Sequence, residues 1–217
     1  MNSSFSWEAF DRMPVVGILR NVPPRHMQKL FTVYYDAGFT TIEVTMNSAG
    51  AAETISTLGK MFGGRLNIGA GTVCTMQDLD DALSAGAQFI VTPVVAEAVI
   101  KACAERGVPV FAGAFTPTEI YRAWELGASM VKVFPAGQFG PAYIKEVLAP
   151  LNPIKLLPTG GISQENFTDF LEAGAKGLGM GSHLIPKALV ENEQWEQLES
   201  HLSGFAEKYR HFKQQMN

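Results

Sequence analysis

The sequence predicts an α/β fold: a single (β/α)8 TIM barrel spanning residues 1–217, with a short N-terminal helix and a C-terminal amphipathic helix. Three observations point there. Apolar, β-branched runs alternate with helix-length segments, which implies parallel strands joined by crossover helices. There are eight such runs, which implies a closed barrel rather than an open sheet. A helix-to-strand junction also recurs at Gly38, Gly86, Gly107, Gly127 and Gly174, at intervals of 48, 21, 20 and 47 residues, close to one or two βα units each. Gly suits a helix C-terminus where the backbone must turn left-handed.

In chain order, residues 7–12 read as a short helix halted before Pro14 and placed to plug the bottom of the barrel. Strands are expected at 15–19, 40–45, 67–70, 89–92, 108–112, 130–134, 154–157 and 177–180. Helices are expected between them, among others at 25–37, 76–85, 94–105, 117–126 and 164–173. Near the end Trp195, Leu198, Leu202, Phe205, Tyr209 and Phe212 recur every three or four positions, one face of a helix that packs on the core.

Composition narrows the function classes. With 47% hydrophobic and 18% charged residues the chain can bury a sizeable core. Its 17 basic and 21 acidic residues give a formal charge of −4, without the basic excess that nucleic acid or an anionic membrane would require. The expected partner is a small molecule, and an anionic one must be held by local groups. Cys74 and Cys103 are too few for a disulfide framework and read as small core residues. No apolar run reaches the roughly 18 residues of a membrane span, and no leader-like pattern opens the chain, so a cytoplasmic protein is expected.

Active sites of such barrels lie at the C-terminal ends of the strands. Lys132, between Val131 and Val133, must face opposite to two apolar residues that pack on helices, hence into the barrel. Burial there disfavours an ammonium relative to the neutral amine that attacks a carbonyl to form a Schiff base. A lysine snorkelling to solvent or pairing with a carboxylate fits the spacing equally well. Lys155, near a strand start, belongs to the bottom face. Glu43 alternates with Ile42 and Val44 in the same way, so it is either an acid/base beside Lys132 or one half of an ion pair with Lys132 or Arg20. After the last two strands come Thr159-Gly160-Gly161 and Gly181-Ser182, on the two adjacent loops that commonly cradle phosphate in these barrels. The fragments Gly69-Ala70-Gly71 and Gly177-Leu178-Gly179 lack the full spacing of a dinucleotide loop. His26, His183, His201 and His211 are scattered without metal-ligand spacing, so a metal-dependent mechanism has no visible ligand set and no metal is expected.

The motifs Glu43-Val44-Thr45, Gly69-Ala70-Gly71-Thr72-Val73, Lys132-Val133-Phe134-Pro135-Ala136, Pro158-Thr159-Gly160-Gly161-Ile162-Ser163 and Gly181-Ser182 resemble, in order, those of the 2-keto-3-deoxy-6-phosphogluconate / 4-hydroxy-2-oxoglutarate aldolase family. The resemblance runs from about Pro14 to Leu184. It implies a class I aldolase, homotrimeric and cofactor-free, with Lys132 as the Schiff-base lysine and Glu43 as the acid/base. It also implies Thr72, Pro93 and Phe134 around the pyruvate portion, Thr159 beside the reacting centre, and Gly160, Gly161, Gly181 and Ser182 at the phosphate. The implied substrate is a phosphorylated keto acid, 2-keto-3-deoxy-6-phosphogluconate, with 4-hydroxy-2-oxoglutarate as a further one. Asn47 stands where the gluconate enzymes tend to carry an arginine. Together with Arg20, whose fork can meet the substrate carboxylate, it resembles the relatives that act on the galactonate epimer, whereas Thr159 resembles the gluconate side. A phosphosugar epimerase or isomerase would share the barrel and the phosphate loops without needing a covalent imine at Lys132. A sugar-phosphate sensor would keep the loops and have no use for Glu43.

Overall fold

In the computed structural model, which describes residues 4–216, eight parallel strands alternate with helices. The strands are β1 (Val15–Leu19), β2 (Thr41–Thr45), β3 (Asn67–Gly71), β4 (Ile90–Val91), β5 (Val110–Ala114), β6 (Met130–Val133), β7 (Leu156–Pro158) and β8 (Leu178–Met180). They are ordered β7-β6-β5-β4-β3-β2-β1-β8, and the ring is nearly closed where Thr159 and Gly179 form an isolated parallel bridge between the ends of β7 and β8. All five junction glycines have positive φ, from 67° at Gly107 to 104° at Gly174, the left-handed turn that an added Cβ would oppose.

The outer ring contains α2 (Pro24–Asp36), α3 (Ala51–Phe62), α4 (Met76–Ser84), α5 (Glu97–Glu105), α6 (Pro117–Glu125), α7 (Gly140–Leu148) and α8 (Phe167–Glu172), with α1 (Trp7–Arg12) at the start and α9 (Lys187–Glu191) and α10 (Trp195–Met216) at the end. α4 and α6 begin at reciprocal capping boxes, Thr75 with Asp78 and Thr116 with Glu119, each satisfying backbone donors that the first turn leaves free. α10 buries Leu198, Leu202, Phe205 and Tyr209 and packs against α2, the core-facing role expected of its apolar stripe.

Several boundaries move for identifiable reasons. β5 starts at Val110 rather than 108 because the Val108 amide closes the end of α5 on the Cys103 carbonyl and Pro109 has no N–H. β7 starts at Leu156 because the Ile154 amide is engaged in a turn with Leu151. α8 starts at Phe167 rather than 164 because Ser163 and Asn166 form a side-chain-closed turn ahead of it. Cys103 is buried as expected, whereas Cys74 is exposed, its amide donating to the Asp78 carboxylate beside the cap of α4.

Inside the strands a second apolar cluster gathers Phe5, Phe10, Val16, Phe89, Val91, Phe111, Met130 and Leu157. Phe5 and Phe10 rise into it from the bottom, with the Phe5 ring 5.2 Å from Phe89 and the Phe10 ring 6.0 Å from Phe111. Asn67, at the start of β3, pins this plug by accepting from the Ser6 amide at 2.8 Å and donating to the Ser6 carbonyl at 2.9 Å. Exposed Lys155 sits at the same end, its Nζ 5.8 Å from the Trp7 ring centroid, as a strand-start lysine should. With the bottom filled by carbon, only the C-terminal ends of the strands are left for chemistry. Among the described residues no helix is long and apolar enough to cross a membrane.

Candidate active site

β2 and β6 lie four strands apart in the ring of eight, so their inward side chains approach from opposite walls. Glu43 is level with Ile18 of β1 and Gly69 of β3, and Lys132 is level with Gly113 of β5 and Leu157 of β7. Ile42, Val44, Val131 and Val133 belong to the outer core, which leaves Glu43 and Lys132 facing inward, 2% and 7% exposed. Both line one narrow gap, too tight for a water, together with Ile18, Thr159 and Gly179.

Gly71 makes room for the Glu43 carboxyl: a Cβ there would stand 2.6 Å from Cδ and 2.7 Å from Oε1. Desolvation pushes the Glu43 pKa above the ordinary carboxylate value, and the charges of Lys132 and then Arg20 pull it back in part. Among the described residues no cationic nitrogen lies within 4.0 Å of its oxygens, so the direct ion pair that the spacing also allowed is not formed. Lys132 Nζ is 5.4 Å from the Phe134 ring centroid.

Above this gap, and sharing Ile18, Thr159 and Gly179 with it, opens a cavity of about 480 Å³, within the range of small-molecule sites. Its walls include Arg20, Phe134 and Thr159, then Gly160, Gly161, Gly181 and Ser182. Gly160 and Gly161 adopt φ of 89° and 73°, and a Cβ on Gly161 would press to 2.8 Å from the Gly137 Cα. Only glycines let that loop lie so close to its neighbour. Arg20 is exposed at the end of β1, and the adjoining Asn21 amide donates to Ser48 Oγ at 3.2 Å, which ties the first loop to the second.

Three expected residues stand apart from these walls. Asn47 is exposed in the turn after β2, where the Ser48 amide folds back on the Thr45 carbonyl. Thr72 follows β3 with φ of 56°, and Pro93 follows β4 with its carbonyl packed over Gly113; neither lines the gap or the cavity.

The chain matches the KDPG and KHG aldolase family over residues 8–201. It belongs to that family. It is 36% identical over 174 residues to the 2-dehydro-3-deoxy-6-phosphogalactonate aldolase of Escherichia coli K12, covering 80% of this chain and 85% of that one. A solved native KDPGal structure superposes with a TM-score of 0.87 at 31% identity, covering 98% of this chain and 100% of that one. The KDPG aldolase of Legionella pneumophila, solved with pyruvate captured as a covalent carbinolamine, gives a TM-score of 0.84 at 25% identity, covering 91% and 96%.

In the aldolase the glycines that resembled dinucleotide-loop fragments have a different use. A Cβ on Gly177 would stand 2.6 Å from Phe10 Cζ, and one on Gly179 would collide with the Thr159 side chain. They are inward positions where the plug and the β7 end need the space. Sequence reasoning also passed over Lys187 and Glu191, which line the outer part of the cavity from α9. Their only sequence signal is an i,i+4 charge pair shortly after Ser182, which ordinarily means a solvated helix face.

Proposed function

We propose that this aldolase cleaves a 2-keto-3-deoxy-6-phosphohexonate to pyruvate and glyceraldehyde 3-phosphate through a Schiff base on Lys132. The observation that carries the reading is the convergence of Lys132 and Glu43, from opposite strands, on one gap that shares Ile18, Thr159 and Gly179 with a cavity walled by the two glycine loops. The Lys132 amine adds to the keto carbon and loses water to give an iminium. Glu43 takes the proton of the C4 hydroxyl, the C3–C4 bond breaks, and its electrons pass into the iminium to form an enamine. Glyceraldehyde 3-phosphate leaves, C3 is protonated, and water releases pyruvate. The raised pKa of Glu43 suits a group that must both accept and return a proton. In this scheme Arg20 meets the substrate carboxylate with its planar fork. Phe134, on the cavity wall, borders the pyruvate portion, and Thr72 and Pro93, from the loops after β3 and β4, would join it there once substrate is bound. Gly160, Gly161, Gly181 and Ser182 receive the phosphate.

The galactonate epimer is the preferred substrate in this reading. It is supported by Arg20 and Asn47 and by the similarity to a galactonate-cleaving relative. A second reading, the gluconate epimer, rests on Thr159, whose hydroxyl stands at the junction of gap and cavity where the C4 oxygen would pass. The same proposal takes the chain as one barrel unit, cytoplasmic and homotrimeric, with 4-hydroxy-2-oxoglutarate as a side substrate and no cofactor.

The test is to incubate the protein with pyruvate and borohydride, map the adduct, and then measure pyruvate release from both epimers. The proposal expects label on Lys132 alone and faster release from the galactonate epimer, with Thr159→Val widening that preference. Label on Lys145 or Lys155 removes the mechanism. Faster release from the gluconate epimer selects the second reading.

A further inference from the structure

The cavity walls carry two cations, Arg20 and Lys187, and one carboxylate, Glu191. They are not equivalent. Arg20 closes β1 two residues beyond Ile18, which is level with Glu43, whereas Lys187 stands on α9, five residues past Ser182. Arg20 therefore serves the reacting end and Lys187 the far end. Past Ser182 the chain folds into a tight turn in which the amides of Leu184 and Ile185 both donate to the Gly181 carbonyl, each at 2.9 Å. Pro186 then caps α9 and sets Lys187 at its first position, back on the wall of the cavity that holds Ser182. Lys187 Nζ stands 3.3 Å from Glu191 Oε1, and the two side chains are 77% and 49% exposed. A pair so solvated is weakly held and free to exchange partners.

We infer that Lys187 is the cation that binds the substrate's terminal phosphate, and that Glu191 is its counter-charge, which the phosphate must displace. This rests on the phosphate placement proposed above and extends it. Glycine loops supply N–H donors but no net positive charge, and a phosphate ester near neutral pH carries close to two negative charges. An ammonium released from one carboxylate gains more from that dianion. The arrangement favours phosphorylated ends over neutral ones, because an uncharged terminus gives Lys187 no reason to leave Glu191.

The test titrates the full chain with glycerol 3-phosphate, and with glycerol as control, by calorimetry at low and at physiological salt. Lys187→Met is expected to weaken glycerol 3-phosphate about five-fold at low salt, the upper worth of an exposed ion pair, and to flatten its salt dependence. Lys187→Arg should restore binding, and Glu191→Gln should tighten it about two-fold by removing the competitor. A purely structural role would not reverse sign between these two positions or move the salt slope. Unchanged binding in Lys187→Met, no tightening in Glu191→Gln, or no binding of glycerol 3-phosphate by the unmodified protein overturns the inference. Pyruvate trapping on the unmodified protein is run alongside. Its failure would count against the Schiff-base reading while leaving the anion result to be judged on its own terms.

Discussion

A close approach in the site lies at the seam of the barrel, where an added methyl on Gly179 would strike Thr159 Oγ1 and come within 3.0 Å of Cγ2 and 3.1 Å of Cβ. Carbon atoms at rest stand about 3.5–4.0 Å apart. In Gly179→Ala, Thr159, which is 3% exposed and bridged to this same residue, must therefore move by roughly an ångström into packed surroundings. Overpacking of this kind costs about 1–3 kcal/mol. For a chain of this size that lowers Tm by roughly 2–12 °C. Because Thr159 borders the reacting centre, a displacement of that size should also cut kcat about 100-fold. Thr159→Ala removes Oγ1 and Cγ2, so on its own it should cost only about 1 kcal/mol. In the double variant the contacts with Oγ1 and Cγ2 are gone and only the 3.1 Å approach to Cβ remains, so the two changes should fall short of additivity by about 1 kcal/mol. Urea unfolding of the four proteins in this cycle measures the coupling, and pyruvate release measures the rate. Gly59→Ala, whose methyl meets nothing within 4 Å on an exposed part of α3, is the control and should gain about 0.5–1 kcal/mol. Additivity within about 0.5 kcal/mol would show that Gly179 and Thr159 are not in contact and would refute the seam as described.

Glu43→Gln should still form the pyruvate adduct yet lose cleavage by roughly 10²–10⁴-fold in a stopped assay of the phosphorylated acid. Its stability should have a definite pH signature. Burial raises the folded pKa of Glu43 above its unfolded value, so the parent is favoured below the unfolded pKa and loses stability as pH climbs through the folded one. Glutamine has no such loss, so melting curves should show the variant gaining on the parent as pH rises and the gap closing in acid. Ser182→Asp should raise KM for phosphorylated substrates well beyond its effect on pyruvate trapping, since it puts a negative charge in the cradle; equal losses would place the phosphate elsewhere. Phe10→Ala, in the plug, should cost about 3–5 kcal/mol of unfolding free energy while leaving cold activity near normal, because it removes a fully buried ring at the end away from the site.

Much of this was legible in the residues because a strand in a barrel has only two faces. Lys132 between two valines and Glu43 between Ile42 and Val44 had to point inward once the strands were recognised, and the five junction glycines marked where helices end. What could not be read were features that depend on pairs distant in the chain. Gly71 is small because Glu43 needs its space, and Gly179 because Thr159 does; neither partner is a neighbour in sequence, so these glycines looked like broken loop motifs. Lys187 and Glu191 were hidden for a related reason. Only the turn after Gly181 reveals that an ordinary surface pair lies on the cavity wall.

The bottom plug has a consequence for how the chain comes together during synthesis. Phe5 and Phe10 precede their partners in the chain: Phe89 lies just ahead of β4, Phe111 is in β5, and Gly177, just ahead of β8, leaves room for the Phe10 ring. Asn67, which holds Ser6 from both sides, also comes 61 positions later. Two phenylalanines must therefore wait, unsheltered, until the strands that enclose them have been translated.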